Sequence, residues 1–283
     1  MEYTEMDKVI QNIVDEIKQE CIIENTAIRD DIFGILENQC TVVYFPIEDQ
    51  KNRGFHIKKI VHNQLEDFVY INTGKPMAEQ IFAAAHELGH IFKVANRVWK
   101  ELDEKRELTE QDEEAITNRF AAELLMPYKA FRKNFFAHMS EFEIPTGKVR
   151  VDEVVRLMVC QMSDFMVPYE AVRRRLVETR IMNEQSAEKL ENNNEQIETL
   201  VKAFLSDQNT YLGNGTGVRT ISGMRTLLEK AEKCPEIEPY LIQKIKKDFK
   251  VKEAVENHLE IHIEGDCCDN ELTRSTGRYL LFA

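Results

Sequence analysis

The residues His86, Glu87 and His90 form the pattern His-Glu-x-x-His in a stretch that is predicted to be helical. Residues four apart lie on one face of a helix, about one turn along, so both imidazoles can reach the same metal ion. A zinc-bound water held by three protein ligands has its pKa lowered towards about 7, and a carboxylate beside it can take its proton. Glu87 stands in the position for that role, and the chemistry that the pattern predicts is amide hydrolysis.

The helix that carries this pattern is predicted to have two distinct faces. At about 100° per residue, His86 and His90 lie together on one side. The opposite side is apolar and consists of Ile81, Ala84, Ala85, Leu88, Ile91, Phe92 and Ala95. Histidines that simply face solvent are the alternative, but Phe82, Ala83 and Gly89 flank them and favour a lined cleft. Gly89 costs about 1 kcal/mol relative to alanine in a helix interior, which predicts close backbone packing there.

A catalytic zinc site of this type needs a third protein ligand, and the next helix offers two candidates. Residues 113–125 are predicted to form a helix that is stopped by Pro127. Asn118 lies within about 40° of Glu114 on the inner face, so Glu114 is favoured over Glu113 as the ligand. Asn118 is then placed to accept a hydrogen bond from the free ring nitrogen of a ligand histidine. Two acidic residues near a helix N-terminus are also explained by the helix dipole alone.

The elements before this pair of helices predict an α+β fold. Thr41–Phe45, Gly54–Val61 and Asp67–Ile71 are rich in β-branched and aromatic residues and predict short strands. We expect a small antiparallel sheet packed on a pair of active-site helices, followed by a mainly helical C-terminal region. An edge strand beside the metal would receive an extended peptide, and an ordinary covered edge is the alternative.

Composition bounds the partners and the location of the chain. With 283 residues and a net charge of -13, the protein is not expected to bind nucleic acid directly or to bind anionic membranes, and a basic partner suits it better. The N-terminal residues lack the apolar core of a signal peptide, and no run of about 18 apolar residues predicts a membrane span. Six scattered cysteines fit reduced thiols. These features together predict a cytoplasmic protein.

Three segments together resemble the ImmA/IrrE family of metallopeptidases. They are the strand end Tyr70-Ile71-Asn72, the HELGH at His86–His90, and Glu114 followed by Asn118–Pro127. The resemblance covers Leu36–Pro127 and continues more weakly over Leu157–Met182, a segment with helix-turn-helix character. It implies zinc bound by His86, His90 and Glu114, with Glu87 as the base, and Thr117 stands where the family usually has alanine. Manganese is the alternative metal because one ligand is a carboxylate.

The predicted organisation has three parts, and the resemblance implies what they do. Residues 1–145 are predicted to be the metallopeptidase domain, residues 146–183 the helix-turn-helix-like segment, and residues 184–283 a C-terminal helical region with a short strand pair. The resemblance implies limited cleavage of a DNA-binding, helix-turn-helix transcriptional repressor, which relieves repression of mobile-element or stress-response genes. We expect the last part to choose the partner.

The competing interpretation is a non-catalytic regulatory protein in which zinc only stabilises the structure. Glu87 discriminates between the two, because a closed structural site has no use for a carboxylate beside a metal-bound water. Residue spacing does not rank the candidates for stabilising the oxyanion, which are His56, His62, Tyr70 and Tyr128.

Two further clusters of residues favour a structural over a functional interpretation. Arg173, Arg174 and Arg175 are interleaved with acidic residues and are predicted to form a solvated basic face rather than a DNA-reading surface. A second metal site at His258 and His262 is disfavoured, because the neighbouring cysteines lack CxxC spacing and the apolar residues around them alternate as in a strand.

Overall fold

The computed structural model describes residues 4–24, 26–49, 51–61 and 63–251. The predicted C-terminal strand around Leu259–Ile263 and the histidines at 258 and 262 lie outside these ranges. The described helices are α1 (Glu5–Glu20), α2 (Ile32–Gln39), α3 (Met77–Ile91), α4 (Val94–Glu101), α5 (Glu110–Leu125), α6 (Tyr128–Glu141), α7 (Val151–Phe165), α8 (Tyr169–Glu178), α9 (Glu184–Asn192), α10 (Asn194–Gln208), α11 (Thr210–Gly213), α12 (Met224–Glu232) and α13 (Pro239–Asp248). The strands are β1 (Thr41–Phe45), β2 (Gly54–Val61), β3 (Gln64–Asn72) and β4 (Thr220–Ile221).

The four strands form one mixed sheet in the order β2-β3-β1-β4. The α+β class is confirmed, and the β2–β3 hairpin is antiparallel as predicted. The prediction of a wholly antiparallel sheet is wrong, because β1 pairs with β3 in parallel. Two strands joined by a short hairpin turn run antiparallel, as β2 and β3 do. The chain leaves β1, forms β2 at the edge of the sheet and returns as β3 between β2 and β1. The strand β3 therefore runs in the same direction as β1.

The side chain of Asn72 holds this crossing connection in place. Asn72 is fully buried at the end of β3. Its Oδ1 accepts from the backbone N–H of Ile47 and of Gly74, each at 3.0 Å. Its Nδ2 donates to the carbonyl oxygens of Ile47 at 3.1 Å and of Asn52 at 2.8 Å. Four hydrogen bonds from this one buried amide therefore hold the loop between β1 and β2 at the end of β3, shortly before α3 begins.

The sheet covers one side of α3, and helices cover the rest. Val42, Val69 and Ile71 are fully buried on the inner face of the sheet. The strand β2 passes very close to α3 at Gly54, where an added Cβ would lie 3.5 Å from the Cβ of Ala83. α2 and α5 also pack against α3, and α1 packs against α5. The metal-motif helix is thus the central element of the core, which is why its apolar arc is so wide.

The chain returns to this core from the C-terminal region. The backbone N–H of Met77, the first residue of α3, donates to the carbonyl of Asn214 at 3.0 Å. The backbone N–H of Gly217 donates to the carbonyl of Thr73 at 2.9 Å. β4 follows at once and pairs antiparallel with β1, through Val43 opposite Ile221. Residues 214–221 therefore tie the start of α3 and the edge of the sheet together.

The arginines of α8 are partly inside the protein. Arg174 is exposed and pairs with Glu170 at 2.7 Å, as a solvated basic face requires. Arg173 and Arg175 are buried, so the predicted solvated face is wrong for them. Arg175 forms an ion pair with the buried Glu123 of α5. A buried carboxylate without a partner is costly, so Arg175 serves packing between α8 and α5. Arg173 instead contacts α9, through Glu191 and the carbonyl of Ala187. Within the described ranges, no helix has the length and apolar character that a membrane span requires.

Candidate active site

Helix α3 presents both histidines of the motif on one side. The rings of His86 and His90 lie 4.8 Å apart, centroid to centroid, with an interplanar angle of 71°. Their Nε2 atoms approach to 3.1 Å. The opposite side of the helix is buried, with Ala84, Ala85 and Leu88 at 0% exposure. The sequence period alone therefore explains why two imidazole nitrogens converge on one point.

Helix α5 brings the third group to this point. A Glu114 carboxylate oxygen lies 3.3 Å from Nε2 of His86, and the other lies 3.4 Å from Nε2 of His90. The three ligating atoms lie within 4.8 Å of one another. Helix α5 begins at a capping box in which Thr109 and Asp112 exchange hydrogen bonds, and this sets where its first turn starts. The structure thus brings together His86, His90 and Glu114.

The other ring nitrogen of each histidine also has an acceptor on α5. Nδ1 of His86 lies 3.1 Å from Oδ1 of Asn118. Nδ1 of His90 lies 3.2 Å from Oε1 of Glu113. The chain advances along α3 from His86 to His90, whereas the contacted residue on α5 changes from Asn118 back to Glu113. The two helices therefore run antiparallel. Asn118 has the kind of contact that its helical phase predicts, whereas the contact of Glu113 was not predicted.

Close approach of the two helices depends on Gly89. A Cβ added at Gly89 would lie 2.8 Å from Cγ2 of Thr117 and 2.9 Å from Cδ1 of Phe120. Carbon atoms at van der Waals contact are about 3.5–4.0 Å apart, so α5 would have to move. The close packing predicted from this glycine is therefore present. It brings Glu114 within reach of both rings.

Electrostatics couple the three convergent groups. Burial lowers the pKa of His86, but the hydrogen bond to Glu114 and the surrounding carboxylates outweigh it, so the pKa is raised. Burial and the charge of His86 lower the pKa of His90. The hydrogen bond from His86 lowers the pKa of Glu114. The pKa values of the two rings thus shift in opposite directions, because a positive charge on one ring disfavours a positive charge on the other.

Glu87 is a nearly buried carboxyl group next to this cluster. It follows His86 directly on α3 and is 5% exposed. Burial raises the pKa of Glu87 to about 7, the charge of His86 lowers it, and the charge of Glu114 raises it. A group with a pKa near neutrality is able both to take up and to release a proton.

The donor set fits a zinc ion in both chemistry and spacing. Zinc bonds of about 2.0–2.2 Å in a tetrahedral arrangement place ligand atoms roughly 3.3–3.5 Å apart. The observed separations between the two Nε2 atoms and the Glu114 oxygens are 3.1, 3.3 and 3.4 Å. These atoms are therefore already at the spacing that one tetrahedral cation requires of its ligands. Three protein ligands also match the count of a catalytic site, which keeps one position open.

Two of the four candidates for stabilising the oxyanion, His56 and Tyr70, have other partners. His56 pairs with Asp67 at 2.6 Å on the β2–β3 hairpin. The hydroxyl of Tyr70 donates to the carbonyl of Phe45. Tyr128 lies at the start of α6, and His62 lies outside the described residues. These contacts rank none of the four as the oxyanion donor.

Gly89→Ala is expected to lower the free energy of unfolding by about 1–3 kcal/mol, because the new methyl group forces α3 and α5 apart. Urea unfolding of the metal-free protein measures this change. Gly34→Ala is the matched control, since Gly34 lies in α2 with no atom within 4 Å of an added Cβ. That control is expected to gain up to about 1 kcal/mol from helix propensity. Equal stabilisation by both substitutions would contradict the close packing.

Comparisons with known proteins were made for the whole chain. Residues 37–177 match the family model described as the IrrE N-terminal-like domain, Peptidase_M78. No curated protein matches the chain. A solved Mycobacterium tuberculosis transcriptional regulator is similar at 13% sequence identity with a TM-score of 0.39, over 59% of this chain and 46% of that chain. This chain spans less than two thirds of the length of that regulator. Through residues 37–177, which include both active-site helices, the chain belongs to the ImmA/IrrE family of metallopeptidases.

Proposed function

We propose that this protein is a zinc-dependent endopeptidase that cuts a DNA-binding transcriptional repressor at a limited number of sites. The observation that carries the proposal is the convergence of His86, His90 and Glu114 next to the buried carboxyl group of Glu87. Membership of a metallopeptidase family supports the reaction class. A structural zinc site, by contrast, gains nothing from an adjacent carboxyl group with a pKa near 7.

The roles of the residues follow from their atoms. Nε2 of His86, Nε2 of His90 and the carboxylate of Glu114 would hold the metal. Bound zinc supplies a Lewis acid that lowers the pKa of water from about 15.7 to about 7 and polarises a carbonyl. Manganese is the alternative, given the carboxylate. With the metal bound at Nε2 of His86, Asn118 would accept the proton on Nδ1 of that ring.

Glu87 is the residue that moves the proton. Its carboxylate takes a proton from the attacking water and then carries that proton to the nitrogen of the leaving amine. Amide nitrogen is a poor leaving group until it is protonated, so both transfers are needed for bond cleavage. Burial raises the pKa of Glu87 to about 7, close to that of a zinc-bound water, which makes Glu87 suitable for both transfers.

Family membership, the charge of the chain and the position of a sheet edge support the proposed substrate. A net charge of -13 favours encounter with a basic, DNA-binding protein, and we expect no direct binding of nucleic acid by this chain. β2 forms one edge of the sheet and packs against α3, so a substrate segment added to this edge would run past the metal helix in extended form. Residues 184–283 are proposed to select the partner.

The test is cleavage of the repressor encoded beside this protein. The purified protein, loaded with one zinc ion per chain, is incubated with that repressor, and the products are identified by mass spectrometry. We expect a single main cut that stops when the metal is removed by a chelator and returns when zinc is added. An intact repressor under conditions in which the two proteins bind would support the non-catalytic regulator instead. Metal below about a tenth of an ion per chain would overturn the ligand assignment.

A further inference from the structure

The second ring nitrogen of His90 is held by a carboxylate rather than by a neutral group. Oε1 of Glu113 lies 3.2 Å from Nδ1 of His90. Glu113 directly precedes Glu114 on α5, and the two side chains diverge around the same ring. Glu114 approaches the Nε2 side of His90 at 3.4 Å, whereas Glu113 reaches the Nδ1 side. Two consecutive residues of α5 thus contact the two ring nitrogens of His90.

The contact with Glu113 favours one tautomer of His90, whereas Glu114 on the Nε2 side favours the other. An ionised carboxylate has no proton to donate and only accepts hydrogen bonds. The proton shared between Glu113 and His90 therefore belongs to Nδ1 of the ring. In a neutral imidazole with its proton on Nδ1, the other nitrogen carries a free lone pair. That lone pair is at Nε2, which faces Nε2 of His86 at 3.1 Å.

We propose that Glu113 is a positioning residue that orients the ring of His90 and favours its Nδ1–H tautomer, and so prepares Nε2 to bind the metal. The proposal rests on the metal centre of the proposed function, and it adds a residue that does not touch the metal. Glu113 is 42% exposed at its side chain, so its cost of burial is small. Its role at the Nδ1 side also accounts for an acidic residue at a position where the helical phase did not favour a ligand.

The two histidines are held in the same way by acceptors of different charge. His86 has the neutral amide oxygen of Asn118 at 3.1 Å, and His90 has the carboxylate of Glu113 at 3.2 Å. A carboxylate behind a ligand imidazole raises the basicity of the ligand and strengthens metal binding. The difference places the stronger acceptor behind His90, the more exposed of the two rings at 16% against 14%.

A purely structural explanation for Glu113 has to be separated from this one. Acidic residues in the first turns of a helix are stabilising because of the helix dipole. Glu110 has the same advantage, since it is the first residue of α5 and lies in its acidic first turn. Glu110→Ala is therefore the matched control: it removes one acidic group from the same helix end and leaves the contact with His90 in place.

The first experiment measures zinc affinity by competition with a chromophoric chelator, using the full-length protein. Glu113→Ala is expected to weaken zinc binding by about 10–100-fold. Glu113→Gln is expected to recover most of that loss, because its amide oxygen still accepts the Nδ1 proton. Glu110→Ala is expected to bind zinc as the wild type does. Unchanged affinity in Glu113→Ala would overturn the proposal. So would failure of Glu113→Gln to recover, together with a loss as complete as in Glu114→Ala.

The second experiment needs neither metal nor substrate. Nitrogen-15 NMR of the metal-free protein reports on which ring nitrogen of His90 carries the proton. We expect a larger Nδ1–H fraction in the wild type and in Glu113→Gln than in Glu113→Ala, because Glu114 competes for the proton from the Nε2 side. An unchanged tautomer in Glu113→Ala would overturn the proposal even if no cleavage activity existed. Loss of repressor cleavage alone, with the tautomer and affinity as expected, would count against the proposed function and not against Glu113.

Discussion

Replacement of Glu87 by glutamine is expected to lower kcat for repressor cleavage by about 10²–10⁴-fold while one zinc ion per chain is retained. Glutamine has nearly the same size and fits a side chain that is 5% exposed, but it has no basic oxygen to take a proton. The three convergent groups on His86, His90 and Glu114 are unchanged, so metal content is preserved. Single-turnover kinetics by mass spectrometry measures the first effect, and elemental analysis measures the second.

The control for this substitution lies on the same helix. Glu79 is two turns before Glu87 and pairs with Arg53 at 2.8 Å near the surface. Glu79→Gln removes the same charge from α3 and is expected to leave kcat near the wild-type value. Undiminished cleavage by Glu87→Gln would indicate a contaminating protease. Loss of the metal from Glu87→Gln would mean that Glu87 holds the metal rather than the proton.

Glu114→Ala is expected to reduce bound zinc from about one ion to less than a tenth of an ion per chain after dialysis. The substitution leaves two protein ligands, and two imidazoles do not make a catalytic zinc site. We expect a larger loss of affinity than the 10–100-fold loss typical of residues that only orient a ligand. Elemental analysis and chelator competition measure the two quantities.

Two neighbouring substitutions make this result specific. Glu110→Ala, one turn earlier on α5, is expected to keep the metal, because Glu110 is exposed and its loss removes no ligand. Glu113→Ala is expected to fall between the two. Full metal retention by Glu114→Ala with loss in Glu113→Ala would exchange the roles of the two glutamates. That exchange would contradict the distances of 3.3 and 3.4 Å from Glu114 to the two Nε2 atoms.

Much of the site follows from helical period and from single residues. The apolar arc of α3 predicts that His86 and His90 share the opposite side, and the buried residues of α3 have that distribution. The glycine at position 89 predicts close packing, which the contacts with Thr117 and Phe120 confirm. The same period placed Glu114 and Asn118 on the inner face of α5, and both side chains reach the histidines. These predictions needed no knowledge of long-range contacts.

Other features did not follow from local patterns. Parallel pairing of β1 with β3 depends on where the chain crosses, and three strand-like runs in a row give no sign of it. Burial of Arg175 depends on Glu123, a residue 52 positions earlier in the chain. The sequence gives only the angle of Glu113 around the axis of α5, and from this angle Glu113 is a competing ligand. The angle does not show that Glu113 and Glu114 contact opposite nitrogens of the His90 ring.

By itself the sequence determined which side chains share a helix face, because spacing in a helix sets the relative direction of its side chains whatever packs beside it. It therefore predicted two imidazoles and a carboxylate as candidate ligands for one cation, and a neighbouring carboxyl group as the candidate base. Only the tertiary structure decided how these groups are oriented. The antiparallel packing of α3 on α5 places Asn118 behind His86 and Glu113 behind His90, across separations of 32 and 23 residues. The tertiary structure also leaves Glu87 only 5% exposed, and this burial raises the pKa of Glu87 to about 7.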